Sequence, residues 1–401
     1  MRRWGRSLLR LPGQTWRLVW HHGLPALAYL ASFLRNRHQM LSVWPEDGIR
    51  VGPRVAIFVH FDAGGALRPH VLQYLSALRA TGLTVVFVTN SGRRLRADAM
   101  AVLRTLCAGV IVRRNVGYDF GAMREGIERV GLPRPDTEMV LLVNDSVYGP
   151  LQPLGPLLEQ LDFGRADLWG MTESWQSRYH LQSYFMAFGR AALTSPAWAA
   201  FWRSVRPVSS KWWIILHYEI GLTQRFLRAG LRARALWRYQ DLVHLIPLPG
   251  VPKPAGDEEI NDAAYPKLLA PMAKARLAHA RLLGEALSEL SALNPTSDFW
   301  RQLLEAGFPF LLLDPLAKAR LAHVRFLRAA VSERSALNPT SDFWRQLLEA
   351  GFPFLKRELL RKNPTFVRDV AEWRDVVQSV SPTDLEVIER DLQRTMRNRA
   401  P

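Results

Sequence analysis

The stretch that decides the fold is residues 139–151, MVLLVNDSVYGPL. Its five apolar residues form the short, uninterrupted run that is typical of a strand covered on both faces. Three small polar residues, Asn144, Asp145 and Ser146, then end the run. They form either an ordinary turn, since Asn, Asp and Ser are all common turn residues, or the place where the protein does its chemistry.

The same apolar pattern occurs three times upstream. Strands are predicted at residues 54–61, 83–90 and 109–114, and helices at 71–80, 97–106 and 121–130. Strands that alternate with helices predict a parallel sheet with right-handed crossovers. Ligands of such sheets bind beyond the carboxyl ends of the strands. We therefore expect Asp62, residues 113–119 and residues 144–146 to lie along one edge.

Downstream, further strands are predicted at 167–172 and 180–188 and helices at 196–205 and 218–229, before a proline-rich segment. The sequence ALNPTSDFWRQLLEAGFPF then occurs twice, at 292–310 and 336–354. Because the copies are identical and only two, they indicate a recent duplication of one helical unit rather than a solenoid. Ser297 and Ser341 are the candidate helix caps in the two copies.

These patterns divide the chain into four regions. They are an amphipathic basic segment (1–48), an α/β domain (49–245), a proline-rich linker (246–268) and a helical C-terminal region with the 44-residue duplication (269–401). In the first region an apolar run at 23–34 is too short to span a bilayer, which takes about 20 residues. It predicts either an in-plane anchor on an anionic leaflet or a helix docked on the protein's own core.

Composition limits the function. The chain has 401 residues, 53 Lys and Arg against 36 Asp and Glu, and a net charge of +17, which favours polyanions such as nucleic acid, anionic lipid or phosphorylated substrates. Its single cysteine, Cys107, excludes an intrachain disulfide and a cysteine metal cluster and suggests a cytoplasmic protein. The sequence lacks Walker A, G-x-S-x-G and H-E-x-x-H motifs.

Two predicted strand ends carry candidate chemistry. Asp145 can bind a divalent cation, Mg²⁺ or Mn²⁺, that bridges a diphosphate, while Asn144 and Ser146 offer neutral oxygens. The segment RRNVGYDFG (113–121) supplies Arg113 for phosphate and a glycine loop that opens a helix. Asp119 in this segment is either a donor-site carboxylate or the helix N-cap.

Later motifs have polar faces. His180, Gln182 and Tyr184 alternate with apolar residues along the predicted strand, so they face either a sugar or solvent. Glu219 opens the predicted helix at 218–229, where a carboxylate either stabilises the helix dipole or acts as a general base.

Six motifs in this order resemble the rhamnan synthesis protein F family of bacterial glycosyltransferases. They are RRNVGYDFGAM (113–123), LLVNDSVYGPL (141–151), DLWGMTES (167–174), HLQSYFMAF (180–188), YEIGL (218–222) and NPTSDFWRQLLEAGFPFLKRELLRKNP (338–364). The resemblance covers about residues 54–245 and the C-terminal tail. The ending FPFLKRELLRKNP matches the family only in the second copy of the repeat.

The resemblance implies a GT-A-like nucleotide-sugar fold and a role in rhamnose-containing polysaccharide, lipopolysaccharide or O-antigen assembly. It implies dTDP-L-rhamnose as donor, and we expect a glycan or lipid-linked glycan as acceptor and no organic cofactor. The amphipathic basic N-terminal segment adds the expectation of contact with the inner face of the plasma membrane. Residues 144–146 stand where many GT-A enzymes carry Asp-x-Asp, so metal use is open with Asn144 and Ser146 there. The implied donor-site residues are Asn115, Gly117 and Asp119, and Glu219 is the implied acceptor-side base.

On this reading Arg113 and an Asp145-bound cation stabilise the departing diphosphate, and Glu219 deprotonates the acceptor in an inverting displacement. The alternative is a non-catalytic scaffold or a basic polyanion-binding protein. Arginine is scattered along the chain rather than gathered in a recognised reader motif, so no nucleic-acid partner is expected.

Overall fold

The computed structural model describes residues 24–92, 95–175, 178–243, 338–365 and 367–397. These ranges include most of the predicted α/β domain and of the second repeat copy. The predictions for residues 1–23, the linker at 246–268 and the first repeat copy with Ser297 lie outside the described residues.

One large sheet organises the protein. Its strands are β1 (Met40–Trp44), β2 (Arg54–His60), β3 (Thr84–Thr89), β4 (Gly109–Arg113), β5 (Met139–Asn144), β7 (Leu168–Ser174), β8 (His180–Leu181), β9 (Phe185–Gly189) and β10 (Ala233–Trp237). The spatial order is β1-β4-β3-β2-β5-β9-β7-β10, with β8 beside β7. Pairing is parallel among β4, β3, β2 and β5 and between β7 and β10, while β1, β9 and β8 run antiparallel to their neighbours.

Helices cover both faces of this sheet. In chain order they are α1 (Leu24–Ala31), α2 (Pro69–Ala80), α3 (Ala97–Leu106), α4 (Tyr118–Val130), α5 (Leu154–Glu159), α6 (Arg190–Thr194), α7 (Pro196–Ser204), α8 (Lys211–Trp213), α9 (Ile220–Arg228) and α10 (Tyr239–Val243). Every residue of β5 is buried, as an uninterrupted apolar run requires. The predicted mixed α/β fold with a mostly parallel sheet is therefore confirmed.

Two predicted elements differ from the structure. The strand expected at 180–188 is two strands, β8 and β9, separated by a turn at Ser183 and Tyr184. The helix expected to start at Tyr218 starts at Lys211, and a π-helical segment (Ile214–Glu219) joins α8 to α9. The hydrophobic periodicity of strands and helices does not indicate a tight turn within a strand. It also does not indicate the extra residue per turn of a π-helical segment.

The C-terminal residues pack on the same core. They form α11 (Pro339–Asp342), α12 (Trp344–Glu349), β11 (Leu355–Lys356), α13 (Arg357–Lys362), α14 (Trp373–Val380) and α15 (Glu386–Arg397). Strand β11 pairs antiparallel with β6 (Val147–Tyr148), directly after Ser146. Ser341 lies inside α11 and Asn338 precedes it as N-cap residue, so the prediction of Ser341 as the cap is wrong.

Gly149 makes room for this docking. Its φ is +130°, and an added Cβ would lie 2.4 Å from the Pro353 carbonyl oxygen. The same carbonyl accepts a 2.7 Å hydrogen bond from the Leu151 amide. We therefore expect Gly149→Ala to lower the free energy of unfolding by about 1–3 kcal/mol or more, because both the dihedral and the contact become unfavourable.

Urea unfolding of Gly149→Ala and of Gly351→Ala would measure this effect. Gly351 also has a positive φ (+81°), but nothing lies within 4 Å of its added Cβ. The difference between the two variants isolates the clash with the docked segment. Equal loss in both would contradict a packing role for Gly149.

Helix α1 has one covered and one exposed face. Tyr29 stacks on Trp213 with ring centroids 4.4 Å apart, and Ser32 is buried. Leu27, Leu30, Phe33 and Leu34 are exposed, Leu34 to 92%. Both alternatives for this segment thus have a physical basis. Among the described helices, none is long and apolar enough to cross a membrane.

Candidate active site

The carboxyl end of β5 brings Asn144, Asp145 and Ser146 to the sheet edge. The Asn144 side-chain carbonyl accepts from the Ser146 amide (3.1 Å) and hydroxyl (2.6 Å), which is the geometry of a polar turn. The Asn144 amide group donates to Asp119 Oδ2 at 2.9 Å. The turn therefore also joins two of the predicted site segments.

Asp145 forms an ion pair with Arg357, a residue of the C-terminal region. Its Oδ2 accepts from the Phe61 amide (3.3 Å) and from Arg357 Nη1 (3.4 Å), which also donates to the Asp145 backbone carbonyl (2.8 Å). The other Arg357 nitrogen, Nη2, donates to Asp391 Oδ2 at 2.9 Å. Asp145 Oδ1 has no hydrogen bond to any other described residue, so it is available to a ligand.

Lys356 contacts the last residue of the polar turn. Its Nζ donates to Ser146 Oγ at 3.1 Å and stands 4.9 Å from the centroid of the Tyr184 ring. Burial lowers the pKa of Lys356, while the charges of Glu219, Glu358 and Asp119 oppose that shift. The ammonium group therefore sits among the carboxylates of the candidate site.

Asp119 does not cap its helix. Gly117 is the N-cap residue of α4, and the Asp119 side chain bonds Asn144 instead of a backbone amide. The alternative of Asp119 as N-cap is therefore wrong. Burial, with Asp145 and Glu219 nearby, raises the pKa of Asp119 to about 6.

Glu219 is at the junction of the π-helical segment and α9, not in a first helical turn. Its Oε1 accepts from the Ser183 amide (3.1 Å) and hydroxyl (2.8 Å). A helix-dipole role is thereby excluded, because that stabilisation falls off beyond the first turn. Single π turns occur often at functional sites, where they redirect a side chain.

The charges of Asp145 and Glu219 both act on Asp119, which links the three carboxylates. Burial raises the pKa of Asp145 to about 6, although Arg357 and the Phe61 amide oppose the shift. Asp145 and Glu219 both contribute to the raised pKa of Asp119. Carboxylates held close together despite this cost are characteristic of sites that carry out chemistry.

Two buried histidines lie near Arg357 and stay neutral. Burial lowers the pKa of His60 to about 4 and that of His70 to about 3, with the Arg357 charge as a further cause. The positive charge facing Asp145 thus comes from Arg357 and not from these imidazoles.

Arg113, the predicted phosphate ligand, makes its hydrogen bonds to other residues of the protein. It is fully buried and donates to Glu125 (3.1 and 3.3 Å), to Asn90 and to the Val116 carbonyl (2.7 Å). Its guanidinium therefore holds β4 to α4. Two arginines at the end of a predicted strand do not indicate that the first of them, Arg113, forms an ion pair with the buried carboxylate of Glu125.

Asp62 is also engaged by its own loop. It accepts from the Gly64 and Ala66 amides (2.9 and 3.0 Å) and from two nitrogens of Arg68 (2.9 and 2.8 Å). Although burial opposes the shift, the hydrogen bonds from this loop and from Arg68 lower the pKa of Asp62. A loop-ordering role accounts for these contacts.

The remaining predicted residues fall into two groups. Asn115 is exposed, while Gly117 is buried with φ +84°, and its added Cβ would lie 3.1 Å from Pro207 Cα. Thr172 bonds both Gln182 (2.6 Å) and Tyr184 (2.8 Å), so these two side chains are held inside the protein.

His180 is buried near Glu219. Its Nδ1 lies 2.8 Å from the Arg178 carbonyl oxygen, and burial lowers its pKa while the Glu219 charge opposes the shift. Of the predicted polar residues His180, Gln182 and Tyr184, His180 is thus the one whose pKa is affected by the charge of Glu219, the general-base candidate.

The described part of the chain does not by itself form a complete metal site. Among the residues that the structure describes, no group of three or more His, Cys, Asp or Glu side chains is arranged to hold a metal ion. Asp145 is paired with Arg357, and Asn144 and Ser146 bond each other. At the end of β5, Asp145 Oδ1 is therefore the oxygen of this turn that remains for a cation.

The raised pKa of Asp119 gives a stability prediction. Because its value in the folded protein, about 6, exceeds the ordinary 3.8, the folded state binds more protons between these values. The contribution of Asp119 to the free energy of unfolding should therefore fall as pH rises from about 4 to about 6. Asp119→Asn removes this loss and should stabilise the protein at pH 7.5 by on the order of 1 kcal/mol relative to its effect at pH 4.

Urea unfolding at pH 4 and pH 7.5 would test it, with Asp136→Asn as the control. The pKa of Asp136 is lowered by Arg134 rather than raised, so that variant should change in the opposite sense or hardly at all. A stability gain for Asp119→Asn that does not depend on pH would contradict the prediction.

The fold and site define a mixed α/β protein with a carboxylate cluster at the carboxyl edge of a mostly parallel sheet. Residues 85–244 match the model of the RgpF family, rhamnan synthesis protein F. The predicted resemblance to this family is confirmed over these residues. The C-terminal motif at 338–364 lies outside the matched residues.

Two curated relatives are similar to the chain. An uncharacterized protein (y4gN) of Sinorhizobium fredii is 30% identical over 197 residues, covering 48% of this chain and 51% of the relative. A protein named virulence protein VirA of Vibrio anguillarum is 27% identical over 231 residues, covering 57% of this chain and 67% of the relative. The chain thus spans about half the length of the first relative.

Among solved structures, a mannosyltransferase from Pyrobaculum calidifontis in complex with GDP-Man and Mn²⁺ is similar with a TM-score of 0.33 and 12% identity. The match covers 90% of this chain and 94% of that one. A structure of residues 1–349 of TarS from S. aureus has a TM-score of 0.30 and 10% identity, covering 81% and 90%.

Proposed function

We propose that the protein is a glycosyltransferase that moves a sugar from a nucleotide-diphosphate donor to a glycan hydroxyl, on a GT-A-like fold. The observation that carries the proposal is the grouping of Asp119, Asp145 and Glu219 at one sheet edge, in a segment that matches the rhamnan synthesis family. Ligands bind at this edge of α/β sheets.

Glu219 is the general base of the proposed reaction. Its Oε1 is held by Ser183, and Oε2 has no hydrogen bond within the described part of the chain. That oxygen can accept the proton of the acceptor hydroxyl as the hydroxyl attacks the sugar carbon bonded to the diphosphate. A single displacement of this kind inverts the configuration at that carbon.

Asp145 and Asp119 serve the donor in this proposal. Asp145 Oδ1 can accept from a donor hydroxyl or bind a Mg²⁺ or Mn²⁺ ion whose remaining ligands are diphosphate oxygens and water. Asp119, fixed by Asn144, adds a second carboxylate beside it. Because negative charge grows on the departing diphosphate, the site also needs positive charge there.

The finer assignment is rhamnosyl transfer from dTDP-L-rhamnose to a cell-surface polysaccharide or O-antigen acceptor. It is supported by the family match alone, because the contacts of the site residues do not define a sugar-specific pocket. A thermal-shift screen of dTDP-rhamnose, UDP-sugars and GDP-sugars, with Mg²⁺, Mn²⁺ or EDTA, would test donor and metal together. No stabilisation by any sugar nucleotide would overturn the proposal and favour a non-catalytic scaffold.

We also propose contact with an anionic membrane surface through the exposed face of α1 and the turn after it. Leu27, Leu30, Phe33 and Leu34 form the apolar part, and the chain's charge of +17 suits an anionic leaflet. This agrees with a cytoplasmic enzyme on the inner face of the plasma membrane that acts on a lipid-linked acceptor.

Flotation with vesicles that contain anionic lipid should recover the wild-type protein. The variant with Leu27→Gln, Leu30→Gln and Leu34→Gln should bind at least tenfold less, since burying each leucine contributes about 1.5–3 kcal/mol. Leu41→Gln is the matched control, because Leu41 is exposed on strand β1. Equal flotation of all three proteins would contradict the contact.

A further inference from the structure

We infer that Lys356, the last residue of β11, supplies the positive charge that meets the donor diphosphate, and that Arg357, the first residue of α13, positions Asp145. The inference rests on the proposed function and deepens it. It assigns a part of the site to a segment that lies far from Asp145 in the chain.

Lys356 has the position that such a contact needs. Its Nζ is 3.1 Å from Ser146 Oγ, in the turn at the end of β5, and it is only partly buried. Glu219 and Asp119 both act on its charge, so the ammonium group lies close to the proposed base and donor carboxylates. A lysine in this place stabilises a diphosphate as a point charge.

Arg357 acts through Asp145 and is a positioning residue. It bridges Asp145 and Asp391 with contacts of 3.4 and 2.9 Å, and its guanidinium lies 5.6 Å from the centroid of the Tyr148 ring. Asp391 in turn accepts from the Tyr148 hydroxyl at 2.8 Å. This network fixes Asp145 Oδ2 and leaves Oδ1 to the ligand.

The docked segment is held rigidly enough for this role. The Arg357 amide donates to the Ser146 carbonyl at 3.1 Å, and β11 pairs with β6. Phe354 packs against Tyr74 with centroids 5.1 Å apart. Lys356 is thus placed by backbone pairing and by a nearby aromatic anchor.

The duplication supplies a natural comparison. At an offset of 44 residues, the first copy has Leu312 and Leu313 where the second has Lys356 and Arg357. The two copies are identical up to Leu311 and Leu355, so their sequences diverge at the cation pair itself. Of the two copies, the second alone has the residues to complete a diphosphate site.

Calorimetry on the full chain with inorganic pyrophosphate, dTDP and UDP would test the inference. Lys356→Gln, and Lys356→Leu as in the first copy, should weaken diphosphate binding about 10- to 100-fold, the range for a lost hydrogen bond to a charged group. Lys356→Arg should restore most of it. Lys362 is half-exposed at the end of α13, the helix that follows Lys356, and is paired with Glu358, so Lys362→Gln should bind like the wild type.

The outcomes separate this inference from the proposed function. If wild-type protein binds none of the three probes, or if Lys356→Gln binds them equally well while remaining folded by circular dichroism, the inference is overturned. If binding depends on Lys356 but no sugar nucleotide is turned over, the inference is supported and the glycosyltransferase proposal fails.

Discussion

Asp145→Asn should lower sugar transfer by about 100-fold or more while the protein remains folded. Asp145 positions the donor in the proposed reaction, and misplacement of a reacting group by about 1 Å can cost roughly 10²-fold in rate. The asparagine carbonyl can still accept from the Phe61 amide, as Asp145 Oδ2 does at 3.3 Å. The carboxylate charge that pairs with Arg357 is lost.

The acidic limb of the pH profile is a second measure, shared by Asp145 and Asp119, because the pKa of each is raised to about 6. Burial raises the pKa of Asp145 to about 6, so a mechanism that needs the ionised carboxylate should lose activity as pH falls through about 6. Transfer rates from pH 5 to 8 would be measured for the wild type and for the control variant Asp136→Asn. In the wild type the Asp136 carboxylate is exposed and paired with Arg134. A folded Asp145→Asn protein with wild-type turnover would refute the assignment of Asp145.

Sequence periodicity predicted the sheet well because the strands β2 to β5 are buried on both faces. Uninterrupted apolar runs such as residues 139–143 have few alternatives in an α/β protein. The same reasoning placed Asp119, Asn144 and Asp145 near one another, because parallel strands end at one edge. The hydrogen bond between Asn144 and Asp119 is a direct result of that topology.

The contribution of the C-terminal segment was not predictable in this way. Lys356 and Arg357 reach Ser146 and Asp145 through β11, a strand of two residues that has no periodic pattern. The sequence signal was the divergence of the two copies after Leu311 and Leu355. The structural signal was Gly149, whose φ of +130° leaves room for the Pro353 carbonyl. The spacing of residues along the sequence does not indicate that Lys356 contacts Ser146 or that Arg357 contacts Asp145. It also does not indicate that Arg113 pairs with Glu125.

Glu219→Gln should reduce kcat by about 10²–10⁴, the usual contribution of a general base, with donor affinity nearly unchanged. A glutamine carbonyl can accept from the Ser183 amide and hydroxyl, which now bond Oε1 at 3.1 and 2.8 Å. The fold and the π-helical segment should therefore persist. What disappears is the oxygen that takes the acceptor's proton.

The split between kcat and donor affinity decides between chemistry and structure. A merely structural Glu219 would, when replaced, weaken donor binding and thermal stability together with turnover. Calorimetry with dTDP or UDP and a thermal melt would be run beside the transfer assay, with Glu159→Gln on the exposed end of α5 as control. The acceptor's proton must leave as its oxygen attacks, so some residue has to act as the base. A folded Glu219→Gln protein that transfers sugar at the wild-type rate would therefore contradict the assignment of Glu219. His180, which is buried near Glu219, would be the next residue to replace.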